Sequence, residues 1–429
     1  MNEKELMLGL DIGTTTISLT IAEKDTGRQT DAVTIDNGAA IPGGKCQDPE
    51  IIREKALKLV ADACSSHPGI VSIGLTGQMH GIVFLDAEGS AVSPLYTWQD
   101  EHGNLPYDEK TTYCGEILRR TGKKVPSGYG LSSFFWCSCN GRIPESAVTF
   151  CTIMDYVGMK LTGTKKPLVH STNAASFGLY DLEHHVFYEK EIALIGAAGY
   201  LPETTDEDRI QGTYAGIPVS VAIGDNQAAF FGAVDRPEIT VSVNCGTGSQ
   251  ISAAVDSCLG QNAPEIRPYI DGKYLLNGSA LCGGRAYAIL ERFFRLYADA
   301  AGLGGVEQYE VLNRIAAEGE DRALKVRTQF AGTREDPSVR GSITGIGEDN
   351  FTPQAMAAGF LHGMADELYE MYLSMGLSGR TELVASGNAI RKNPALQKIF
   401  SETFGMNLIV TEIKEEAAYG AAKFGAICR

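Results

Sequence analysis

A chain of 429 residues exceeds what one hydrophobic core ordinarily holds, so at least two domains are expected. Its 44% hydrophobic and 21% charged residues supply a sizeable core, and a formal charge of −16 excludes a phosphate-backbone binder, so no nucleic-acid partner is expected. No apolar run reaches the ~20 residues of a membrane span, and the acidic start, MNEKELMLGLDIG, lacks a signal-peptide pattern; the expected location is cytoplasmic, away from membranes.

The ten cysteines include one C-x-C, Cys137 and Cys139, but no C-x-x-C, and read as reduced, scattered thiols. From Leu8 to Glu23, LGLDIGTTTISLTIAE reads as a strand, a glycine-threonine turn and a second strand. A further strand is expected over 31–35. Between Pro49 and Ala63, the residues Ile51, Ile52, Ala56, Leu59, Val60 and Ala63 recur at helical spacing. The stretch IVSIGLTGQMHGIVFLDAEGSAV, from Ile70, gives a strand, a glycine-rich break and another strand. Hairpins mixed with β-α-β elements indicate the α/β class.

Residues 106–214 are less regular, with helices expected at GEILRRTG and TIMDYVGMKLTG. From Ile217, IPVSVAIGDNQAAFFGAV reads as a buried strand, a turn at Gly224-Asp225 and a helix starting near Gln227. From Ile239, ITVSVNCGTGSQISAAV then repeats the outline of the first hairpin. A boundary between Val234 and Glu238 gives each half its own copy, with domains expected at 1–235 and 236–429. The second half continues with a helix from Pro353 to Leu377, a strand TELVAS, a turn GNAIRKNP and a helix ALQKIFSETFG. A short strand, NLIV, leads into a final helix, EEAAYGAAKFGAI. Two long halves of shared outline imply a duplicated domain, not a solenoid.

Turns rich in Gly and Thr expose backbone N–H groups and add hydroxyls, which together form an anion nest. Asp11, at the mouth of the first turn, would repel a bare phosphate but suits a Mg²⁺ ion shared with phosphate oxygens. Asn244 stands in the matching place of the second turn, so a metal would be held from one side. Ordinary hairpins also favour Gly and Thr, for turn geometry and β-propensity. Two copies, each leading a half-chain, favour nucleotide binding.

These segments are similar to those of the FGGY carbohydrate kinases, in the superfamily that includes actin, Hsp70 and hexokinase. LGLDIGTTT and NCGTGSQI resemble the two phosphate motifs, TGQMHGIVFLD the sugar segment and AIGDNQAA the segment carrying the base. FAGTREDPSVRGSITGI and ASGNAIRKNPALQ resemble the later signatures, so the likeness covers nearly the whole chain. LYTWQDEHG, GYGLSSFFW, TIMDYVGMKLTG and STNAASFGLYDL resemble the branch that phosphorylates sedoheptulose. Glu101-His102 departs from the Gly-Arg or Arg-Arg pair common in relatives, and the chain is short for the family.

The resemblance implies two RNase H-like domains of the actin/hexokinase type with a central interdomain cleft. It implies ATP and Mg²⁺ as cofactors, a small-molecule sugar as substrate, and a monomer or homodimer. Asp225 is the implied general base; from the residues alone, an N-cap of the following helix is the competing reading. Gln78, Met79, His80, Trp98, Asp100 and Asn226 are the implied sugar contacts, and Asp11 the metal ligand. Thr14, Thr15 and Thr16, with Gly246, Thr247 and Gly248, are implied at the phosphates. Gly284 offers a further close backbone approach, and Gly387, Asn388 and Asn393 line the implied adenosine pocket. Another ketose or polyol, such as xylulose or ribulose, is the alternative acceptor. An actin-like ATP sensor without catalysis is the alternative class.

Overall fold

The structure, a computed structural model, describes residues 4–258, 260, 265–319, 324–333, 336 and 338–429. They form two compact units. The first comprises Met1–Asp235, Arg267–Tyr274 and Ile413–Arg429; the second comprises Arg236–Ile266 and Leu275–Glu412. Two segments of the second half of the chain are thus counted with the first unit.

The sheet of the first unit is built from β1 (Leu6–Ile12), β2 (Thr16–Glu23), β3 (Gln29–Asp36), β4 (Ile70–Gly77), β5 (Ile210–Tyr214) and β6 (Ile217–Gly224). Its order is β5-β6-β4-β1-β2-β3. β1 lies antiparallel to β2 and parallel to β4, and β6 is parallel to β4. Leu8, Leu10, Ile12, Ile17, Leu19 and Ile21 are buried, as expected of central strands covered on both faces. The helix Pro49–Ser66 starts at Asp48, whose side chain accepts from the N–H groups of Glu50 and Ile51. Its core face contains Ile52, Ala56, Val60 and Ala63, whereas Ile51 is exposed.

The terminal helix, Glu416–Ile427, closes this sheet at unusually short range. A Cβ on Gly9 of β1 would stand 1.8 Å from the Ala418 carbonyl oxygen, and one on Gly74 of β4 would stand 1.7 Å from that of Ala421. Gly420, on the helix itself, meets the Ala228 carbonyl in the same way. Backbone therefore packs on backbone, which only residues without a side chain permit.

The second large sheet is built from β7 (Thr240–Cys245), β8 (Ser249–Val255), β9 (Glu265–Pro268), β10 (Tyr274–Ala280), β11 (Glu382–Ser386) and β12 (Asn407–Val410), in the order β9-β10-β8-β7-β11-β12, with Arg267, Pro268 and Tyr274 counted with the first unit and the rest with the second. β7 lies antiparallel to β8 and parallel to β11, and β12 is parallel to β11. This repeats the first sheet around its leading strand: a hairpin partner on one side, two parallel strands on the other. The registers correspond as well. Asp11 faces Thr76 on its parallel neighbour, and Asn244 faces Ser386 on the equivalent one. Val241, Val243, Ile251, Leu276, Leu361 and Leu383 belong to the separate core of this unit.

Candidate active site

In the first unit, the ends of β1, β4 and β6 bring three sequence motifs together. Asp225 follows β6 directly and is the first residue of the helix Asp225–Ala233. Gly224 occupies the N-cap position, so Asp225 is not the cap, and its Oδ1 accepts from the Asn226 N–H at 2.7 Å. Burial pushes the Asp225 carboxyl up, while the Arg267 guanidinium and the backbone N–H groups pull it down.

Asp11, at the end of β1, is pushed up to about 7 by burial, then by the carboxylates of Asp225 and Glu415. Negative charge gathered in a poorly solvated place is what a divalent cation offsets. Among the described residues no group of three or more His, Cys, Asp or Glu could hold a metal ion alone. One or two carboxylates completed by phosphate and water suit Mg²⁺, so the residues present fit that ion with Asp11 as its protein ligand.

The first turn is braced from three sides. Thr14 Oγ1 donates to Gln78 Oε1 at 3.2 Å and accepts from Trp98 Nε1 at 2.9 Å. Gln78 Nε2 donates to Gln47 Oε1 at 2.8 Å, and Gln47 Nε2 donates to the Thr14 carbonyl at 2.7 Å. Asn37 Nδ2 donates to the Gly13 carbonyl at 2.8 Å. Thr15 and Thr16 are exposed at the tip.

The sugar candidates divide by environment. Met79 is buried, and Trp98 is 45% exposed with its ring edge tied to Thr14. His80 has a left-handed backbone, φ 72°, held by its N–H to Ser176 Oγ at 3.1 Å. His80 Nδ1 lies 3.0 Å from the Ser176 carbonyl, which assigns the proton to Nδ1, and its ring packs 4.3 Å from Tyr129. Asp100 is buried in an internal network: its Oδ2 accepts from Ser133 Oγ at 2.6 Å and its Oδ1 from His102 Nδ1. His102 in turn stacks on Trp136 at 3.7 Å. Both carboxylate oxygens of Asp100 are thus engaged within the protein, by Ser133 and His102.

In the second unit, Gly246, Gly284 and Gly387 come together. The Gly284 N–H donates to the Gly246 carbonyl at 2.8 Å, and that of Arg285 to the Thr247 carbonyl at 3.1 Å. Gly387, at φ 90°, lies so close to the Cys245 carbonyl that a Cβ would stand 2.3 Å from the oxygen. Gly248 closes the same turn before β8, and Asn388 begins the short helix after Gly387. Asn393 sits apart in role: its Oδ1 caps the next helix through the Leu396 N–H, and its Nδ2 donates to Asn313 Oδ1 at 2.9 Å. Arg334, within the later signature, lies outside the described residues.

Sequence reasoning did not single out Arg267, Gln47, Asn37 or Glu415. A single arginine, glutamine, asparagine or glutamate carries no spacing signal, and only tertiary structure brings these four to the site.

A duplicated sheet whose leading hairpin carries the acidic or amide residue defines a two-domain, actin/hexokinase-like kinase fold with mixed sheets. Residues 6–232 match the N-terminal domain, and residues 241–428 the C-terminal domain, of the FGGY family of carbohydrate kinases. The chain belongs to that family and is a carbohydrate kinase. It is similar to sedoheptulokinase of Mus musculus, 26% identical over 477 residues, covering 98% of this chain and 97% of the relative. Among solved structures, a ligand-bound xylulose kinase from Lactobacillus acidophilus has a TM-score of 0.83 at 18% identity, covering 98% of this chain and 89% of that one. Plasmodium falciparum glycerol kinase with ADP has a TM-score of 0.78 at 20% identity, covering 98% and 89%. Among the described residues no helix is long and apolar enough to cross a membrane.

Proposed function

We propose that the protein transfers the γ-phosphoryl group of ATP to a ketose, sedoheptulose, giving sedoheptulose 7-phosphate and ADP. The observation that carries this reading is the site of the first unit, where Asp225 begins its helix beside Met79 and shares an acidic environment with Asp11. Similarity to sedoheptulokinase over nearly the full length of both chains supports the choice of sugar.

Phosphoryl transfer requires little covalent work from a protein and much positioning. Asp225 takes the proton of the sugar hydroxyl as that oxygen bonds to the γ-phosphorus and the bond to the ADP oxygen breaks. The N–H groups bonded to Asp225 and the nearby Arg267 favour the ionised carboxylate that this step needs. Gln78, Met79, His80, Trp98 and Asn226 form the sugar wall, with Asp100 and His102 behind it. In the first unit Thr14, Thr15 and Thr16 are the phosphate-binding residues, and in the second unit Gly246, Thr247 and Gly248 are; Gly284, Gly387 and Asn388 of the second unit bind adenosine, with Asn393 fixing the helix that follows. Mg²⁺, held by Asp11, supplies charge neutralisation at the phosphates when bound.

ADP release measured against a panel of ketoses and polyols tests the reading. Sugar-dependent release, fastest with sedoheptulose, is the expected result. Asp225→Asn should lower kcat by about 1,000-fold, the scale of general-base catalysis, with ATP affinity retained. Release at one rate with and without every sugar would instead identify a conformational ATPase. Faster turnover of xylulose or a polyol would move the assignment to that acceptor.

A further inference from the structure

The three residues before Asp225 are held by side chains as well as by strand pairing. Asn173 Nδ2 donates to the Ala222 carbonyl at 2.9 Å, and Thr76 Oγ1 donates to the Ile223 carbonyl at 2.8 Å. The Gly224 N–H donates to Thr172 Oγ1 at 3.3 Å. Thr76, Thr172 and Asn173 are all fully buried. Gly224 is the N-cap of the helix that Asp225 begins and has no side chain with which to cap it, so the turn from strand to helix depends on what holds its backbone.

Thr172 can accept from Gly224 because its own proton is committed elsewhere. His170, 0% exposed, places Nδ1 3.0 Å from Thr172 Oγ1 and accepts there from the Thr172 N–H at 3.3 Å. A ring nitrogen that accepts from a backbone N–H carries no proton, so the Thr172 hydroxyl donates to it and turns a lone pair to Gly224. The imidazole proton then sits on Nε2, which lies 3.4 Å from Asp208 Oδ1, while Asp208 Oδ2 accepts from the Asp271 N–H at 2.9 Å. Carboxylate, imidazole and hydroxyl are thus lined up behind the base, ending on a backbone amide.

We infer that Thr172, oriented by His170, is a positioning residue of the kinase: it fixes the Gly224 amide and thereby the place of the Asp225 carboxylate. Both residues are fully buried and act through the backbone rather than by touching the sugar. Their role rests on the reading of Asp225 as the general base and extends that reading to the residues behind it.

The test uses the full chain and steady-state ADP release, with Mg-ATP and sedoheptulose, or whichever ketose of the panel turns over fastest, varied separately. Thr172→Val keeps the shape and removes the acceptor. It should lower kcat by roughly 30- to 100-fold, the scale of misplacing a reacting group by about 1 Å, while KM for each substrate moves less than about threefold. Thr172→Ser, which keeps the hydroxyl, should stay within about threefold of the parent. In an Asp225→Asn background, where no base remains to be placed, Thr172→Val should cost less than about threefold more. A merely structural threonine would lower activity by the same factor in both backgrounds, and that result overturns the inference. So does a Thr172→Val enzyme within about threefold of the parent in kcat, or a Thr172→Ser enzyme no better than Thr172→Val. His170→Phe removes the acceptor and should lose about tenfold in kcat, whereas His170→Asn offers an amide oxygen in its place and should stay within about threefold of the parent. Equal kcat for these two also overturns the inference, and if Thr172→Val does not fold, that pair decides alone. Parent enzyme lacking sugar-dependent release would instead sink the kinase reading, which separates the two failures.

Discussion

Asp11 is asked to carry charge where burial and two other carboxylates oppose it. A structural aspartate would gain from conversion to a neutral isostere, whereas a metal ligand would lose its purpose. Asp11→Asn should therefore reduce kcat at fixed Mg²⁺ by roughly 100-fold or more, because the ion's charge neutralisation is worth several kcal/mol. Sugar binding, followed by intrinsic fluorescence, should change by less than about threefold; the opposite order would remove the metal role. Asp225 draws attention in the sequence because it follows an apolar strand and stands beside Gly224, and Asp11 because it interrupts an apolar strand that runs into the Gly13-Thr14 turn. The environment of Asp100 was not legible, since its partner Ser133 is remote in sequence and nothing local to the WQDEHG segment announces it. Arg267 was hidden for the same physical reason: a lone basic residue at a strand end reads as solvated until the fold encloses it.

At the scale of elements, the hairpins were the clearest signal, because β-branched strands around Gly-Thr turns leave few alternatives. The helices at 49–66, 153–162 and 394–404 were similarly plain, each with an Asp, Thr or Asn cap before an apolar run. The allegiance of the terminal helix was illegible. Its small residues, Ala418, Gly420, Ala421 and Gly425, mark a close contact without naming the sheet that receives it. Gly74→Ala tests that contact. The added methyl meets backbone rather than a side chain that can turn aside, so stability should fall by about 1–3 kcal/mol or more, the usual cost of overpacking. Urea unfolding gives the number. A loss indistinguishable from zero would mean that the helix can withdraw freely.

Over the whole molecule, two sheets of one plan carry different duties: the first sets carboxylates at its strand ends, and the second sets Asn244 and glycine turns in the matching positions. Net charge of −16 makes acidification a global variable. Arg28, then Lys4 and Thr26, hold the Glu23 carboxyl down to about 2, and Arg119 with Arg120 do the same for Glu116. Folded values below the ordinary 4.5 mean that these contributions are complete above pH 4.5. They fade as the pH falls from there through about 2. Denaturant midpoints at pH 7, 4 and 3 should fall in that order, and Glu116→Gln should flatten the slope. A parallel slope in that variant would assign the acid sensitivity to other groups.

The helix seated on Gly9 and Gly74 also sets a timetable. A ribosome delivers the first hairpin and its neighbouring strands early, but their covering helix emerges only after the entire second unit has been translated. Throughout that interval the nascent chain presents an unfinished, greasy sheet face, so a stalled or prematurely terminated message yields a sticky intermediate rather than a working half-enzyme.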